Sequence, residues 1–191
     1  MLVIAEGIDS NRLKSRGRGV WVPAFARTTV ESYVMASSKS PSRSPLSTVT
    51  AATIATSLLT VQTPGRGFTD LTAEIAKFVD DAHAREGTVT LFIRHTSASL
   101  TIQENADPAV LEDLMTALDR LAPEDAGWRH DAEGPDDMPA HVRTMLTATS
   151  LHVPVLDSEL ALGTWQAIYL IEHRRRPHRR EIVLQFTGTT R

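Results

Sequence analysis

Residues 88 to 104, TVTLFIRHTSASLTIQE, leave little choice of local structure. Val89, Leu91 and Ile93 fall on one side of the chain and Thr90, Phe92 and Arg94 on the other, the period of two that belongs to a strand with one buried face. ASLTIQE reads as a neighbouring strand joined to the first by the short HTS connection. A sheet that is apolar on one face must be covered by a second layer. The remaining segments supply the layers. ATSLLTVQT and SLHVPVL have strand composition, and ELALGTWQAIYLIEH with REIVLQFTG reads as a final strand pair flanking RRRPHR. Thr69 can cap a helix whose apolar positions Leu71, Ile75, Phe78, Val79 and Ala82 recur at helical spacing, with Gly87 as its stop. Asp107 and Pro108 mark the start of a second helix carrying Val110, Leu111, Leu114, Met115, Leu118 and Leu121, and PAHVRTMLTAT reads as a short third. The expected fold class is α+β, a two-sheet β-sandwich with two longer helices and one short helix packed against it.

A chain of 191 residues suits one domain and is short for two. It contains no cysteine, so disulfides, thiolate nucleophiles and cysteine-based zinc sites are excluded. No apolar run approaches the roughly 20 residues of a membrane-spanning helix, and no membrane partner is expected. Residues 1–52 carry seven Lys/Arg against three Asp/Glu, whereas the rest carries 13 against 20 and so has no basic field for nucleic acid. The first segment lacks periodicity and ends in the Ser/Pro-rich ASSKSPSRSPLST, a disordered leader in character. Its RGRGVWVPAFARTTVESYVM also resembles translated repeats upstream of genes in some GC-rich bacterial genomes, which makes Met35 the expected true start. Without the apolar core of a signal peptide, secretion is not expected and the protein is placed in the cytoplasm. The single folded domain is expected over residues 53–191.

The stretch RHDAEGPDDMPAH puts His130, His141 and four carboxylates, Glu133 and Asp136 among them, into thirteen residues. It reads either as a solvated acidic loop with incidental histidines or as a wall of ligands and acid/base groups. His95, between Arg94 and Thr96, lies where a strand ends, a common place for functional groups. If the fold gathers them, His95, His130 and His141 could hold a divalent metal with an open position. Asn105 precedes the Asp107 cap and could face a ligand, and GTWQ places Trp165 and Gln166 at the start of a strand. The arginines of EHRRRPHRR read as a solvated hairpin tip. No phosphate-binding glycine loop and no serine nucleophile motif is present.

Three runs in series, HTSASLTIQENADPAVLEDL, EGPDDMPAH and SLHVPVLDSELALGTWQAIYLIEHR, resemble the YjbQ family, described as secondary thiamine-phosphate synthases. The resemblance implies a β-sandwich assembled as a homotrimer, with pockets near subunit boundaries. It implies site residues at His95, Asn105, His130 and His141, with Glu133 and Asp136 between them and Trp165 and Gln166 on the GTWQ element. The implied activity joins hydroxymethylpyrimidine diphosphate to a thiazole phosphate and releases pyrophosphate. A divalent cation, Mg²⁺, Mn²⁺ or Zn²⁺, held by the three histidines and a loop carboxylate would grip phosphate oxygens, with Arg94, Thr96 and Arg143 as further contacts to a small phosphorylated substrate. A metal-dependent phosphoester hydrolase, or a non-catalytic trimer that binds a small anionic metabolite, would use the same residues.

Overall fold

The computed structural model describes residues 45–191, so the expectations for Met35 and for residues 1–44 lie outside the described part. Among the described residues, eight strands and three helices follow one another as β1 (Thr53–Thr63), β2 (Gly67–Asp70), α1 (Thr72–Asp81), β3 (Ala84–Ile93), β4 (Ala98–Glu104), α2 (Pro108–Leu121), α3 (Asp137–Leu146), β5 (Ser150–Leu156), β6 (Glu159–Leu160), β7 (Gln166–Glu172) and β8 (His178–Thr190). The strands form a five-stranded sheet in the order β1-β8-β3-β5-β6 and a three-stranded sheet in the order β2-β7-β4. Every pairing between these strands is antiparallel. The α+β class with two sheets and three helices is as the alternation requires. Val89, Leu91 and Ile93 of β3, Ile182, Leu184 and Phe186 of β8, and Ile168 and Leu170 of β7 meet Ile75 and Val79 of α1 in one buried cluster.

Pairing departs from the sequence expectation in two places. β3 and β4 are not neighbours: β3 lies between β8 and β5, and β4 pairs with β7. Likewise β7 and β8 belong to different sheets and form no hairpin. The HTS turn and the arginine-rich run are therefore corners at which the chain passes from one sheet to the other. Ile93 at the end of β3 faces Ile182, and Ala98 at the start of β4 faces Glu172, so both corners lie at the same end of the molecule. The short-range patterns are those of strands, but they cannot state which strand a strand will pair with.

Two local signals also moved. Thr69 is a strand residue, and the N–H of Thr72 is taken instead by the Asp70 carboxylate at 2.8 Å. α1 ends before His83, whose φ of 50° turns the chain, and Gly87 lies inside β3. Gly87 is needed there because it faces Gly188 across the ladder with φ of 158°, and a Cβ on it would stand 2.3 Å from the Thr187 carbonyl oxygen. Asp107 caps α2 as expected, accepting from the Ala109 N–H at 2.9 Å ahead of Pro108.

Candidate functional site

Strand parity places charge inside the molecule. Glu172 shares the inward side of β7 with Ile168 and Leu170, and Arg180 shares the inward side of β8 with Ile182 and Leu184. Two buried charges have to satisfy each other. Arg180 Nη2 donates to Glu172 Oε1 at 2.6 Å and Nε to Oε2 at 2.7 Å, a two-pronged pair completed by the Thr63 hydroxyl at 2.9 Å. Burial pushes the Glu172 carboxyl up, but the Arg180 guanidinium and the Arg174 N–H outweigh it and hold it below its ordinary value. Beside this pair, buried His173 meets the Ser99 hydroxyl through Nε2 at 2.8 Å. Burial first and the Arg143 charge second push His173 down to about 3.

That depression carries a consequence for acid stability. An unfolded His173 takes up a proton near its ordinary 6.5, whereas the folded ring stays neutral down to about 3, so acid favours the unfolded chain across that window. Its contribution is complete above the upper value and declines by about 1.4 kcal/mol per pH unit towards the lower. Denaturant titrations from pH 7 to 3.5 should therefore show a shallower loss of stability in His173→Gln than in the unmodified protein. Parallel slopes would mean that His173 gains its proton with the fold intact.

The acidic stretch is fastened to this frame by one arginine. Arg174, the first residue of the β7–β8 corner outside His173, bonds Asp136 through Nε at 3.2 Å, the Glu133 carbonyl through Nη2 at 2.8 Å, and Asp137 through Nη1. The Arg175 N–H adds a bond to Asp136 at 2.9 Å. Burial raises the Asp136 carboxyl, yet the Arg175 N–H and Arg174 overcome it and leave it below the ordinary carboxylate value. Held in this way, α3 starts at Asp137, two residues ahead of the proline from which the sequence reading began it. His141 consequently sits one turn inside the helix rather than at its N-terminal N–H groups. Asp137 and His141, four residues apart, share one face.

At this face the geometry becomes chemical. His130 Nε2 lies 2.8 Å from Asp137 Oδ2, His141 Nε2 lies 3.8 Å from Asp137 Oδ1, and the two imidazole centroids are 5.5 Å apart. One ligand atom from each of His130, Asp137 and His141 fits within 4.8 Å of the others. Two imidazoles and a carboxylate are a donor set that suits a divalent transition metal, so the residues present fit such an ion. His141 Nδ1 is 2.9 Å from the Thr96 carbonyl, which can only accept, so Nδ1 carries the proton and Nε2 offers its lone pair.

The expected residues are divided by the structure. His95, Thr96 and His141 line one open pocket of about 390 Å³ with Thr144 and Met145, but His95 is not in the His130–Asp137–His141 group. Arg94 pairs with Glu181 at 3.0 Å beside a neighbouring hollow. Asp136 is bonded to Arg174 at 3.2 Å, while the exposed Glu133 carboxylate lies 3.5 Å from the same guanidinium. Arg143, 1% exposed, donates through Nη2 to the Ala122 carbonyl at 2.9 Å and lies 3.1 Å from Asp119, while its buried Nε and Nη1 have no hydrogen-bond partner among the described residues. Asn105, Trp165 and Gln166 gather at the opposite end of the small sheet, where the Asn105 N–H donates to the Trp165 carbonyl at 3.1 Å. The seven-residue run of β4 from Ala98 to Glu104 sets them on the order of 20 Å from the histidine end.

Asp137, Ser97, Arg174 and Arg180 were missed from the sequence. For Asp137 a signal existed, since a carboxylate four residues before a histidine on a helix is a ligand spacing. For the arginines there was none, because a buried cation and a solvated one look alike in a basic run.

Two sheets joined at corners thus carry, beside an open pocket, a cluster of two histidines and one carboxylate in which Asp137 and His141 come from α3 and His130 from the loop before it. Residues 57–189 match the family described as UPF0047 protein YjbQ-like, and the chain belongs to that family. It is 48% identical over 132 residues to a UPF0047 protein of Synechocystis sp., covering 69% of this chain and 90% of that one. The UPF0047 protein YjbQ of Escherichia coli O157:H7 is 40% identical over 131 residues, covering 68% and 95%. Among solved structures, a YjbQ/UPF0047 family protein of Clostridium acetobutylicum superposes with a TM-score of 0.63 at 32% identity, covering 68% of this chain and 98% of that one.

Proposed function

We propose that the protein is a transferase of the thiamine-phosphate synthase type, joining hydroxymethylpyrimidine diphosphate to a thiazole phosphate and releasing pyrophosphate. The observation that carries the reading is the juxtaposition, across one loop, of the His130–Asp137–His141 cluster with an arginine-lined cavity. That cavity, of about 780 Å³, is lined by Glu133 and Asp136 on one side and by Arg174, Arg175, Arg176 and His178 on the other. In the reaction the thiazole nitrogen bonds to the pyrimidine methylene as the bond from that carbon to the diphosphate breaks, so charge builds on the departing oxygens. Arg176, together with Arg175, which is paired with Glu124 at 2.7 Å, offers positive charge to those oxygens, and Arg174 keeps the loop beneath it rigid. His130, Asp137 and His141 would hold a divalent cation, Mg²⁺, Mn²⁺ or Zn²⁺, which would supply Lewis-acid stabilisation of phosphate oxygens. Holding two anionic reactants in line contributes much of the acceleration, since oriented groups reach effective molarities of about 10⁵ to 10⁸ M.

Assembly as a homotrimer is part of the same reading. Met145 is 76% exposed beside the histidine pocket and Trp165 64% exposed at the far end, and a trimer would cover both. Asn105, Trp165 and Gln166 then meet the histidines of a partner rather than those of their own chain. No helix among the described residues is long and apolar enough to cross a membrane, and a cytoplasmic location suits small phosphorylated substrates. The expected result is pyrophosphate release that requires both substrates and a divalent metal. Phosphate released from one ester alone would make the protein a hydrolase, and ligand-dependent stabilisation without turnover would make it a binding protein.

A further inference from the structure

Ser97 lies in the β3–β4 corner, 1% exposed, with both its polar groups turned to one atom. Its backbone N–H donates to His95 Nδ1 at 3.0 Å, and its Oγ stands 3.0 Å from the same nitrogen. Arg180 Nη2, anchored on Glu172, donates to Ser97 Oγ at 3.3 Å. An arginine cannot accept, so that oxygen receives from Arg180 and directs its own hydrogen to the imidazole. Two donors therefore converge on His95 Nδ1, which has to be the unprotonated nitrogen, and the proton of the neutral ring stands on Nε2. His141, across the same pocket, has the opposite arrangement, because its Nδ1 proton is held by the Thr96 carbonyl.

We propose that Ser97 and Arg180 are positioning residues that hold His95 as an Nε2–H donor, which contacts an anionic phosphate oxygen in the pocket shared with His141 instead of ligating metal. A metal-bound Nε2 would need its proton on Nδ1, where the Ser97 N–H already points. Burial, and then the Arg180 charge, also lower the proton affinity of His95, so the neutral donor form is the one favoured. The inference deepens the phosphate-directed reading above, but its test needs no turnover.

Nitrogen-15 NMR of the full-length protein labelled at histidine should show His95 with an unprotonated Nδ1 and a protonated Nε2. Ser97→Ala should lower the Nε2–H population and Ser97→Thr should restore it. Glutamine places an N–H donor near the Nε2 position and asparagine near Nδ1. His95→Gln should therefore keep pyrophosphate binding within a few-fold and leave Mn²⁺ affinity unchanged, whereas His95→Asn should weaken pyrophosphate binding about 10- to 100-fold, the worth of one hydrogen bond to a charged group. A protonated Nδ1 on His95, equal pyrophosphate binding by the two variants, or loss of Mn²⁺ affinity in His95→Gln would each overturn the proposal. A protein that shows the expected tautomer and binding yet no condensation would remove the reaction and leave the donor role standing.

Discussion

Glu172→Ala is expected to cost the fold about 3 to 5 kcal/mol, because the guanidinium of Arg180 would remain buried without its counter-charge. The pair joins β7 of one sheet to β8 of the other, and both residues are 2% exposed or less. Removing one partner strands a charge where water cannot reach it, while removing both does not. Replacing Glu172 and Arg180 together by leucine and methionine should therefore recover most of the loss, since well-packed apolar groups match a buried ion pair. Urea denaturation at pH 7 measures both. A loss below about 1 kcal/mol in the single variant would show that water reaches Arg180 in solution. The double variant also cuts the Arg180 bond to Ser97, so its restored stability should come with a disturbed His95.

The second large effect belongs to Asp137, which is 2% exposed and lies between His130, His141 and Arg174. Asp137→Asn keeps the shape and removes the charge. Arg174 retains Asp136 and the Glu133 carbonyl, so α3 should stay docked. The divalent-metal affinity should fall by about 100-fold or more, as a ligating charge is lost rather than a supporting contact. Condensation should fall at least as far on the proposed reading. Titrating the protein with Mn²⁺ and following its melting temperature separates these effects. The unmodified protein should be stabilised in proportion to its metal occupancy and the variant should not. Equal stabilisation of both would remove Asp137 from the ligand set.

How much of the site was legible depends on the scale of the interaction that makes it. His130 and His141 could be paired on paper only by supposing that the loop bends back. The bend is made by Arg174, which takes hold of Asp136, Asp137 and the Glu133 carbonyl from 37 to 41 residues away. In the sequence Arg174 is one of several arginines in a run and reads as solvent-facing. His95 was visible as a strand-end histidine, but its role turns on which nitrogen holds the proton. That depends on Ser97 two residues on and on Arg180 across the core. The grouping of Asn105 with Trp165 and Gln166, remote from the histidines, follows from the β4–β7 register alone.

Periodicity, capping and turn residues by themselves determined that the chain folds as strands with three helices, where α2 starts, and which face of β3 is apolar. These are local properties, set within a few residues by side-chain alternation and by backbone N–H groups that need a partner. Only the tertiary structure decided that β3 leaves β4 for β8 and β5, that β7 and β8 part into separate sheets, and that Glu172 meets Arg180 between them. Strand partners are chosen by the total burial of all faces at once, and a period of two is the same whichever neighbour satisfies it.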